Sequence, residues 1–251
     1  MPAISSLLEF SLGTDTTNPP QEYLDPNNNN QPTGFDIDLI TAIAHKMGLQ
    51  VKIVSTPFNS LFKDLRGHQF DVVISAVSMT SDLTGKYDFV RYLHTSESLL
   101  VPMGNPKHIK QLTDLCGLSV GVQAGSTELT QLQKAPCPAS KMITIMLETS
   151  EADVIPLLLA GTVDATYQDT PVANYYIGLN QGRFVAVTIM SNTPDEGIVI
   201  RKGDTIMLNA VNAAFNLLKQ DGTYHNLLAK WNLIQEAIAV VDRRSWSTIE
   251  V

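Results

Sequence analysis

The stretch Asp71–Phe89, DVVISAVSMTSDLTGKYDF, decides the fold that we predict for this chain. Its first part, Val72–Val77, is a short apolar run rich in β-branched residues, which is typical of a strand buried on both faces of a parallel sheet. Small polar residues follow at once, over Ser78–Asp82. In open α/β sheets ligands bind at the carboxyl ends of the strands, so this stretch predicts a core strand and the edge of a binding crevice. The alternative is an ordinary strand-to-helix loop whose hydroxyls only cap a helix.

The composition limits the classes of protein to which the chain can belong. It has 251 residues, of which 44% are apolar, enough for one substantial core or two smaller ones. No apolar run approaches the roughly 20 residues of a membrane span. The formal net charge is −8, and lysine and arginine do not cluster, which argues against nucleic acid as a partner. Met1–Ala3 has neither the basic nor the apolar part of a signal peptide, so any signal peptide has been removed or never existed.

Predicted strands alternate with predicted helices twice along the chain, a pattern typical of two α/β lobes with parallel sheets. Apolar residues at helical spacing over Asp36–Met47, and Gly48 directly after them, predict one helix and its end. The other predicted helices are Asn59–Arg66, Ile109–Leu115, one that begins after Ala124–Thr127, Ser150–Leu159, Thr170–Leu179, Thr205–Gln220 and Tyr224–Leu233. The further predicted strands are Leu7–Thr14, Gln50–Ser55, Ser98–Met103, Ser119–Gln123, Ile143–Leu147, Val163–Tyr167, Phe184–Ile189 and Gly197–Arg201.

Cys116 and Cys137 are the two cysteines of the chain. A bond between them would close a loop of about 20 residues. In the chain-entropy model, such a bond stabilises the folded state by ~3 kcal/mol. An even count with no histidine nearby fits a disulfide better than a zinc site. We therefore predict a disulfide inside the second lobe, with two unrelated buried thiols as the alternative.

Seven stretches, in this order, resemble the extracellular solute-binding proteins of polar amino-acid ABC transporters. The resemblance extends from about Leu12 to Trp231; each stretch alone is loose, and the whole series is highly specific. The stretches are GTDTTNPP at 13–20, GFDIDLITAIAHKMG at 34–48, FDVVISAVSMT at 70–80, VGVQAGST at 120–127, AGTVDATYQDTPVA at 160–173, GIVIRKGD at 197–204 and KQDGTYHNLLAKW at 219–231.

The resemblance implies an α/β fold of the type II periplasmic-binding-protein kind, with two lobes. Each lobe has a mainly parallel sheet flanked by helices, and two hinge crossovers near Leu100–Met103 and Asp195–Ile200 join the lobes. Lobe 1 is expected to comprise residues 1–102 and 197–251, and lobe 2 residues 103–196. Ligand would bind in the cleft, over which the lobes close.

The resemblance also implies a set of ligand-binding residues at matching positions. Asp169 corresponds to the residue that usually receives the α-ammonium group of an amino acid. Glu128 matches a cleft position as well, although we expect its side chain to face solvent. The predicted ligand-binding set is Asp15, Asn18, Phe58, Ser75, Ala76, Ser78, Thr80, Leu83, Gln123, Ser126, Thr127 and Asp169.

The chain departs from the family pattern where a carboxylate would be bound. The family holds the ligand carboxylate with an arginine, whose planar fork pairs both oxygens at once. Leu83 stands at that position, and the nearest cations, Lys86 and Arg91, are out of register. Asn18 and Gln21 stand where the family usually has aromatic residues. We therefore expect Leu83 to form apolar wall, and a ligand that is either a small polar amino acid or a cationic amino compound.

These features together predict a non-catalytic receptor that captures a small solute and delivers it to the membrane permease of an ABC importer. The five histidines have no metal-ligand spacing, so neither a metal nor a cofactor is expected. We expect a monomer located outside the cytoplasm, either periplasmic or attached to the cell surface by a lipid anchor absent from this sequence. The alternatives are the ligand-sensing ectodomain of a signalling receptor and a dehydratase-like enzyme, which would need a carboxylate-binding arginine and a general acid.

Overall fold

The computed structural model describes residues 9–190 and 193–238 of the chain. The predicted start of the first strand at Leu7 and the tail beyond residue 238 lie outside the described residues. The strands are β1 (Glu9–Thr14), β2 (Thr17–Asn18), β3 (Glu22–Asp25), β4 (Gln31–Thr33), β5 (Gln50–Ser55), β6 (Val72–Val73), β7 (Tyr87–Leu93), β8 (Glu97–Pro102), β9 (Ser119–Gln123), β10 (Thr144–Glu148), β11 (Ala165–Asp169), β12 (Phe184–Met190) and β13 (Glu196–Arg201). The α-helices are α1 (Phe35–Met47), α2 (Phe58–Arg66), α3 (Ser81–Thr84), α4 (Thr127–Lys134), α5 (Glu151–Leu159), α6 (Thr170–Leu179), α7 (Thr205–Gln220) and α8 (Thr223–Lys230).

Two five-stranded sheets with the same topology form the framework of the molecule. Their strand orders are β5-β1-β6-β13-β7 and β10-β9-β11-β8-β12. In each sheet the fourth strand in this order, β13 or β8, is antiparallel to both of its neighbours, and the other pairings are parallel. The predicted two-lobed α/β fold is therefore confirmed. We call the unit built on the first sheet lobe 1 and the unit built on the second sheet lobe 2.

The chain passes between the two sheets earlier than we predicted. Glu97–Pro102 pairs with β11 and β12 and so lies wholly in the second sheet. The first passage therefore falls between Leu93 and Glu97. Glu196–Arg201 pairs with β6 and β7 in the first sheet, so the second passage falls between Met190 and Glu196. The predicted crossovers were placed several residues too late; the exact division of the chain into lobes remains a prediction.

The central strand is also shorter than its apolar run. Only Val72–Val73 forms β6, although the Ile74 amide still donates to the Gly13 carbonyl at 3.3 Å. Ala76 then adopts a left-handed φ of 47°, and its amide donates to Oδ2 of Asp36 at 3.2 Å. The chain consequently turns out of the sheet here, which leaves the following small polar residues at the sheet edge.

Two features of lobe 1 were not predicted. One is β7, whose sequence YDFVRYL mixes aromatic and charged residues and which forms an edge of the first sheet. The other is a small antiparallel sheet of β2, β3 and β4, which are joined through turns. Neither segment has the regular alternation or the continuous apolar run by which a strand is recognised in a sequence, although four of the seven residues of β7 are buried.

Helices cover the sheets and create two main apolar cores. In lobe 1, α1 buries Leu39, Ile40 and Ile43, and it ends as predicted at Gly48, which has a left-handed φ of 74°. In lobe 2, α5 begins as predicted at the N-cap residue Ser150, whose Oγ accepts from the Asp153 amide at 3.1 Å. No helix of the described residues is both long and apolar enough to span a membrane.

Cys116 and Cys137 form a disulfide, as predicted, with a Cα–Cα separation of 5.4 Å. The bond joins the segment before β9 to the segment before β10, both strands of the second sheet. It therefore constrains lobe 2 alone and leaves the connection between the lobes unaffected.

Candidate ligand-binding site

A cavity of about 710 Å³ lies between the lobes, where the carboxyl ends of the parallel strands of both sheets meet. This volume is within the usual range for small-molecule sites, roughly 300–1,000 Å³. Residues that follow β1 and β6 form the lobe 1 side. Residues that follow β9, β10 and β11 form the lobe 2 side.

All of the residues predicted to bind ligand line this one cavity. Their part in binding remains a prediction, but the structure brings them together from segments far apart in sequence. From lobe 1 come Asp15, Asn18, Phe58, Ser75, Ala76, Ser78, Thr80 and Leu83, and from lobe 2 come Gln123, Ser126, Thr127 and Asp169.

Asp15 is held rigidly at the end of β1. Its Oδ1 accepts from Thr17 Oγ1 at 2.8 Å, and its Oδ2 accepts from the Phe58 amide at 3.0 Å. Its Oδ2 also accepts from Nε2 of Gln123 at 3.0 Å, a contact that joins lobe 1 to lobe 2. Burial raises the pKa of Asp15, and these three hydrogen bonds oppose the increase. Asp15 is therefore already supplied with donors by the protein itself.

The edge of the cavity formed by the segment after β6 is apolar at Leu83, the position where the family has an arginine. Thr80 caps α3 by accepting from the Leu83 amide at 3.4 Å. Leu83 is half-buried against the cluster of apolar side chains that includes Phe58, and it lines the cavity. Lys86, the nearest cation, is exposed and paired with Asp82 at 2.8 Å. Leu83 thus lies in the wall of the cavity, whereas Lys86 is not among the lining residues; the part that either residue plays in ligand binding remains a prediction.

The lobe 2 wall is strongly acidic. Three of its carboxyl groups lie at or next to helix N-termini: Glu128 in the first turn of α4, Glu151 at the first residue of α5, and Asp169 at the N-cap of α6. A helix N-terminus carries partial positive charge, which helps to keep such groups ionised. Our expectation that Glu128 faces solvent is wrong, because only 4% of the residue is exposed and it lines the cavity.

Three acidic residues of the cavity wall were not predicted: Glu22, Glu97 and Glu151. Glu151 could have been predicted, since it follows a parallel strand at the same edge as Gln123. Glu97 could not, because it begins an antiparallel strand, whose amino end lies at this edge. Glu22 lies in the small unpredicted sheet, and no sequence pattern places it in the cavity.

Burial and mutual repulsion raise the pKa values of these acids. Burial raises the pKa of Glu128 to about 7, with a further contribution from the charge of Glu97. The pKa of Asp169 lies well above its ordinary value through burial and the charges of Glu128 and other acids nearby. The pKa of Glu151 is likewise well raised, by burial and by the charges of Glu128 and Asp15. Some of these carboxyl groups therefore hold protons near neutral pH when the cavity is empty, and a bound cation would favour their ionised forms.

The carboxyl groups of the lobe 2 wall differ in the number of hydrogen bonds that they accept from the protein. Glu97 accepts from Nε2 of Gln131 at 2.9 Å and from the hydroxyl of Tyr167. In contrast, the Asp169 side chain makes no capping hydrogen bond to α6, and Oε2 of Glu151 is buried without a hydrogen-bond partner among residues 9–190 and 193–238. Only 6% of Glu151 is exposed. These two carboxyl groups have acceptor capacity that the described residues leave unused.

A second acidic cluster lies behind the cavity, inside lobe 1. Glu22, Asp36 and Glu196 are all fully buried. The Tyr92 hydroxyl oxygen lies 2.7 Å from Oδ2 of Asp36 and 3.0 Å from Oε2 of Glu196. One hydroxyl proton cannot serve both contacts, so one carboxyl group must donate a proton of its own. Glu196 is the better donor, since burial and the charge of Asp36 raise its pKa to about 8.

The chemistry of the cavity favours a positively charged ligand. Lys134, exposed at the rim, is the single lysine or arginine among the lining residues that the structure describes. Within the described ranges, no three histidine, cysteine or acidic side chains are arranged to hold a metal ion. Carboxylates accept N–H hydrogen bonds, and an ammonium or guanidinium group provides several. Fold and site together define a two-lobed protein with an acidic cavity between its lobes, of a size suited to a small solute.

Comparison with known proteins gives the family. Residues 10–234 match the bacterial extracellular solute-binding proteins, family 3, and the chain belongs to this family. The L-cystine-binding protein TcyA of Bacillus subtilis is 28% identical over 223 residues, which cover 88% of this chain and 80% of that protein. The curated relatives are amino-acid-binding proteins, among them proteins that bind arginine and histidine.

Solved structures agree with this assignment. An ancestral arginine-binding protein bound to arginine has a TM-score of 0.83 and 32% identity, and the match covers 89% of this chain and 97% of that one. An ancestral amino acid-binding protein described as a precursor of cyclohexadienyl dehydratase has a TM-score of 0.79 and 32% identity, over 89% of this chain and 94% of that one.

Proposed function

We propose that this chain is the extracytoplasmic receptor of an ABC importer and that it captures a small cationic amino compound between its lobes. The unpaired carboxyl group of Asp169 in an acidic cavity is the observation that carries this proposal. Asp169 would receive the ammonium group of the ligand. The relatives that bind amino acids and belong to ABC transporters support a role in import, with a membrane permease as the partner.

Leu83 argues against a ligand that carries an α-carboxylate. An unpaired carboxylate that leaves water costs several kcal/mol, and the wall offers it an isobutyl group and several acidic side chains. The hydroxyls of Ser78 and Thr80 at this edge of the cavity are neutral donors, which compensate a carboxylate less well than a guanidinium group does. We therefore propose that the natural ligand has a cationic nitrogen and lacks a carboxylate near it.

Arginine and agmatine, which is arginine without its carboxylate, test this proposal directly. We expect the native protein to bind agmatine roughly tenfold or more tightly than arginine, as measured by isothermal titration calorimetry, because only arginine must bury a carboxylate. Leu83→Arg should reverse this preference, since it restores a bidentate partner for the carboxylate and repels the second cation.

Lys86→Ala provides the matched control. This residue is three positions beyond Leu83, is exposed and pairs with Asp82, so its loss should leave the ratio of the two affinities unchanged. Equal binding of arginine and agmatine by the native protein would contradict our account of Leu83. A change of that ratio in Lys86→Ala would mean that this lysine serves as the carboxylate partner.

An enzyme is the second candidate, because one structural neighbour is described as a precursor of a dehydratase and Glu128, with a pKa of about 7, could serve as a general acid. We propose that the chain is a binding protein rather than an enzyme, since the acidic wall repels the carboxylated substrates of such enzymes. Ligand incubated with the protein should be recovered unchanged by mass spectrometry; a dehydrated product would favour the enzyme.

A further inference from the structure

We infer that the cavity has a second anionic subsite, at Glu151, and that its ligand is a chain compound with two cationic amino groups, such as an α,ω-diamine. This inference deepens the proposed function and rests on it. Asp169 takes one cation, and Glu151 takes the other. No carboxylate is required at any point of the ligand.

Burial and the missing partners of Glu151 distinguish it from an ordinary surface acid. The residue is 6% exposed, it lines the cavity, and no described residue donates a hydrogen bond to its buried Oε2 atom. Its position is fixed because it opens α5 directly after the N-cap Ser150. A buried carboxylate without a donor costs a large part of its hydration free energy. A cationic group in the cavity would remove that cost.

The sheet separates the two carboxyl groups by a defined distance. Glu151 follows β10 and Asp169 ends β11, and β9 lies between these two strands. Neighbouring strands are about 4.8 Å apart, so the two strand ends are about 10 Å apart. The side chains reach into the same cavity, which brings their carboxyl groups within the span of a diamine with four to six carbons.

The lobe 1 side of the cavity, which faces the lobe that carries the two acids, suits an alkyl chain. Phe58, Phe62, Val77 and Leu83 line the lobe 1 side of the same cavity. Methylene groups packed against these side chains would leave water, which is favourable. Glu128 lies on the helix that follows β9, between the other two acids in sheet order, and its charge attracts both ends of a dication. The apolar side chains and the two acidic positions of the cavity thus match a diamine, which has an apolar middle and two charged ends.

Calorimetry with 1,5-diaminopentane and 1-aminopentane, which differ in one amino group, tests the second subsite. We expect the native protein to bind the diamine roughly tenfold or more tightly than the monoamine, as for one added charged hydrogen bond. Glu151→Gln should abolish this difference by weakening the diamine and leaving the monoamine unchanged. Glu148→Gln, a change of an acidic residue on β10 that does not line the cavity, is the control and should preserve the difference.

The possible outcomes separate this inference from the proposed function. Equal affinity of the native protein for the two amines, or equal weakening of both by Glu151→Gln, would overturn the second subsite while leaving a receptor for single cations. Failure of both amines and of agmatine to bind would overturn the proposed function together with the inference. If calcium chloride gave a Glu151-dependent signal and the diamine gave none, the subsite would be one for a metal ion and the inference would be wrong.

Discussion

Asp169→Ala is expected to weaken the binding of a cationic amine by about 2 kcal/mol or more, which is roughly 30-fold or more in affinity. Asp169 has no hydrogen-bond donor among the described residues, so its charge is available to the ligand. Other carboxyl groups of the wall, such as Asp15 and Glu97, already accept hydrogen bonds from the protein. They are therefore poorly placed to compensate for its loss.

Asp169→Asn removes the charge of the side chain and keeps its size, whereas Asp169→Ala removes both. Asparagine has nearly the same size and is a good N-cap residue, so α6 should still begin at this position. The variant should still unfold cooperatively without ligand, at a temperature no lower than that of the native protein, and should lose most of the affinity. Tight binding of an ordinary amino acid by the native protein, with Asp169→Ala unaffected, would contradict this account of the site.

Acidification from pH 8 to pH 5 is expected to weaken the binding of an amine by roughly two orders of magnitude. The empty site holds protons in this range, since the pKa of Glu128 is about 7 and the pKa values of Asp169 and Glu151 are well raised. A bound cation favours the ionised carboxylates and lowers these pKa values, so binding releases protons. For each proton released, the affinity falls about tenfold per unit decrease in pH. This holds between the pKa of the carboxyl group in the bound protein and its pKa in the free protein.

The empty protein should respond to pH in the opposite direction. Its buried carboxyl groups have higher pKa values in the folded chain than in the unfolded chain, with Glu196 at about 8 and Glu128 at about 7. The folded state therefore binds more protons between about pH 4.5 and 8, and the free energy of unfolding falls as the pH rises through that range. We expect it to be about 2 kcal/mol or more higher at pH 5 than at pH 8.

Two measurements check these opposite trends. Urea unfolding without ligand at pH 5 and pH 8 gives the stability, and calorimetry with agmatine in buffers of different ionisation enthalpy gives the number of protons released. Glu148→Gln, a change outside the cavity, should leave both trends intact. An affinity independent of pH between 5 and 8 would mean that the wall carboxyl groups keep ordinary pKa values, near 4.

The sequence predicted the helices best where residues typical of helix starts and ends mark both bounds. The bounds of α6 and α7 agree with the prediction at both ends. Sheet membership was harder, because the apolar run that contains β8 fits either sheet equally well. Only its pairing with β11 and β12 assigns it to lobe 2. The local sequence pattern therefore predicts the helices and strands, whereas pairing between distant strands decides where the chain passes from one lobe to the other.

The site was predicted only in part, again because some of its features depend on contacts between distant segments. Residues at the carboxyl ends of parallel strands, such as Asp15, Gln123 and Asp169, could be assigned to the cavity from their order in the chain. Glu22 and Glu97 could not, since an isolated acidic residue is normally solvated. Their burial depends on neighbours from distant segments, including Ser75 for Glu22 and Tyr167 for Glu97.

The antiparallel strand of each sheet has a consequence for the mechanics of the molecule. β8 is fixed between β11 and β12, and β13 between β6 and β7, so neither strand can slide along its sheet. The strand ends at which the chain passes between the lobes are paired, Leu93 with Glu196 and Glu97 with Met190. The chain therefore leaves and re-enters each sheet at neighbouring positions. We expect the lobes to rotate about the line through these positions, so that each closure brings the same carboxyl groups around a captured solute.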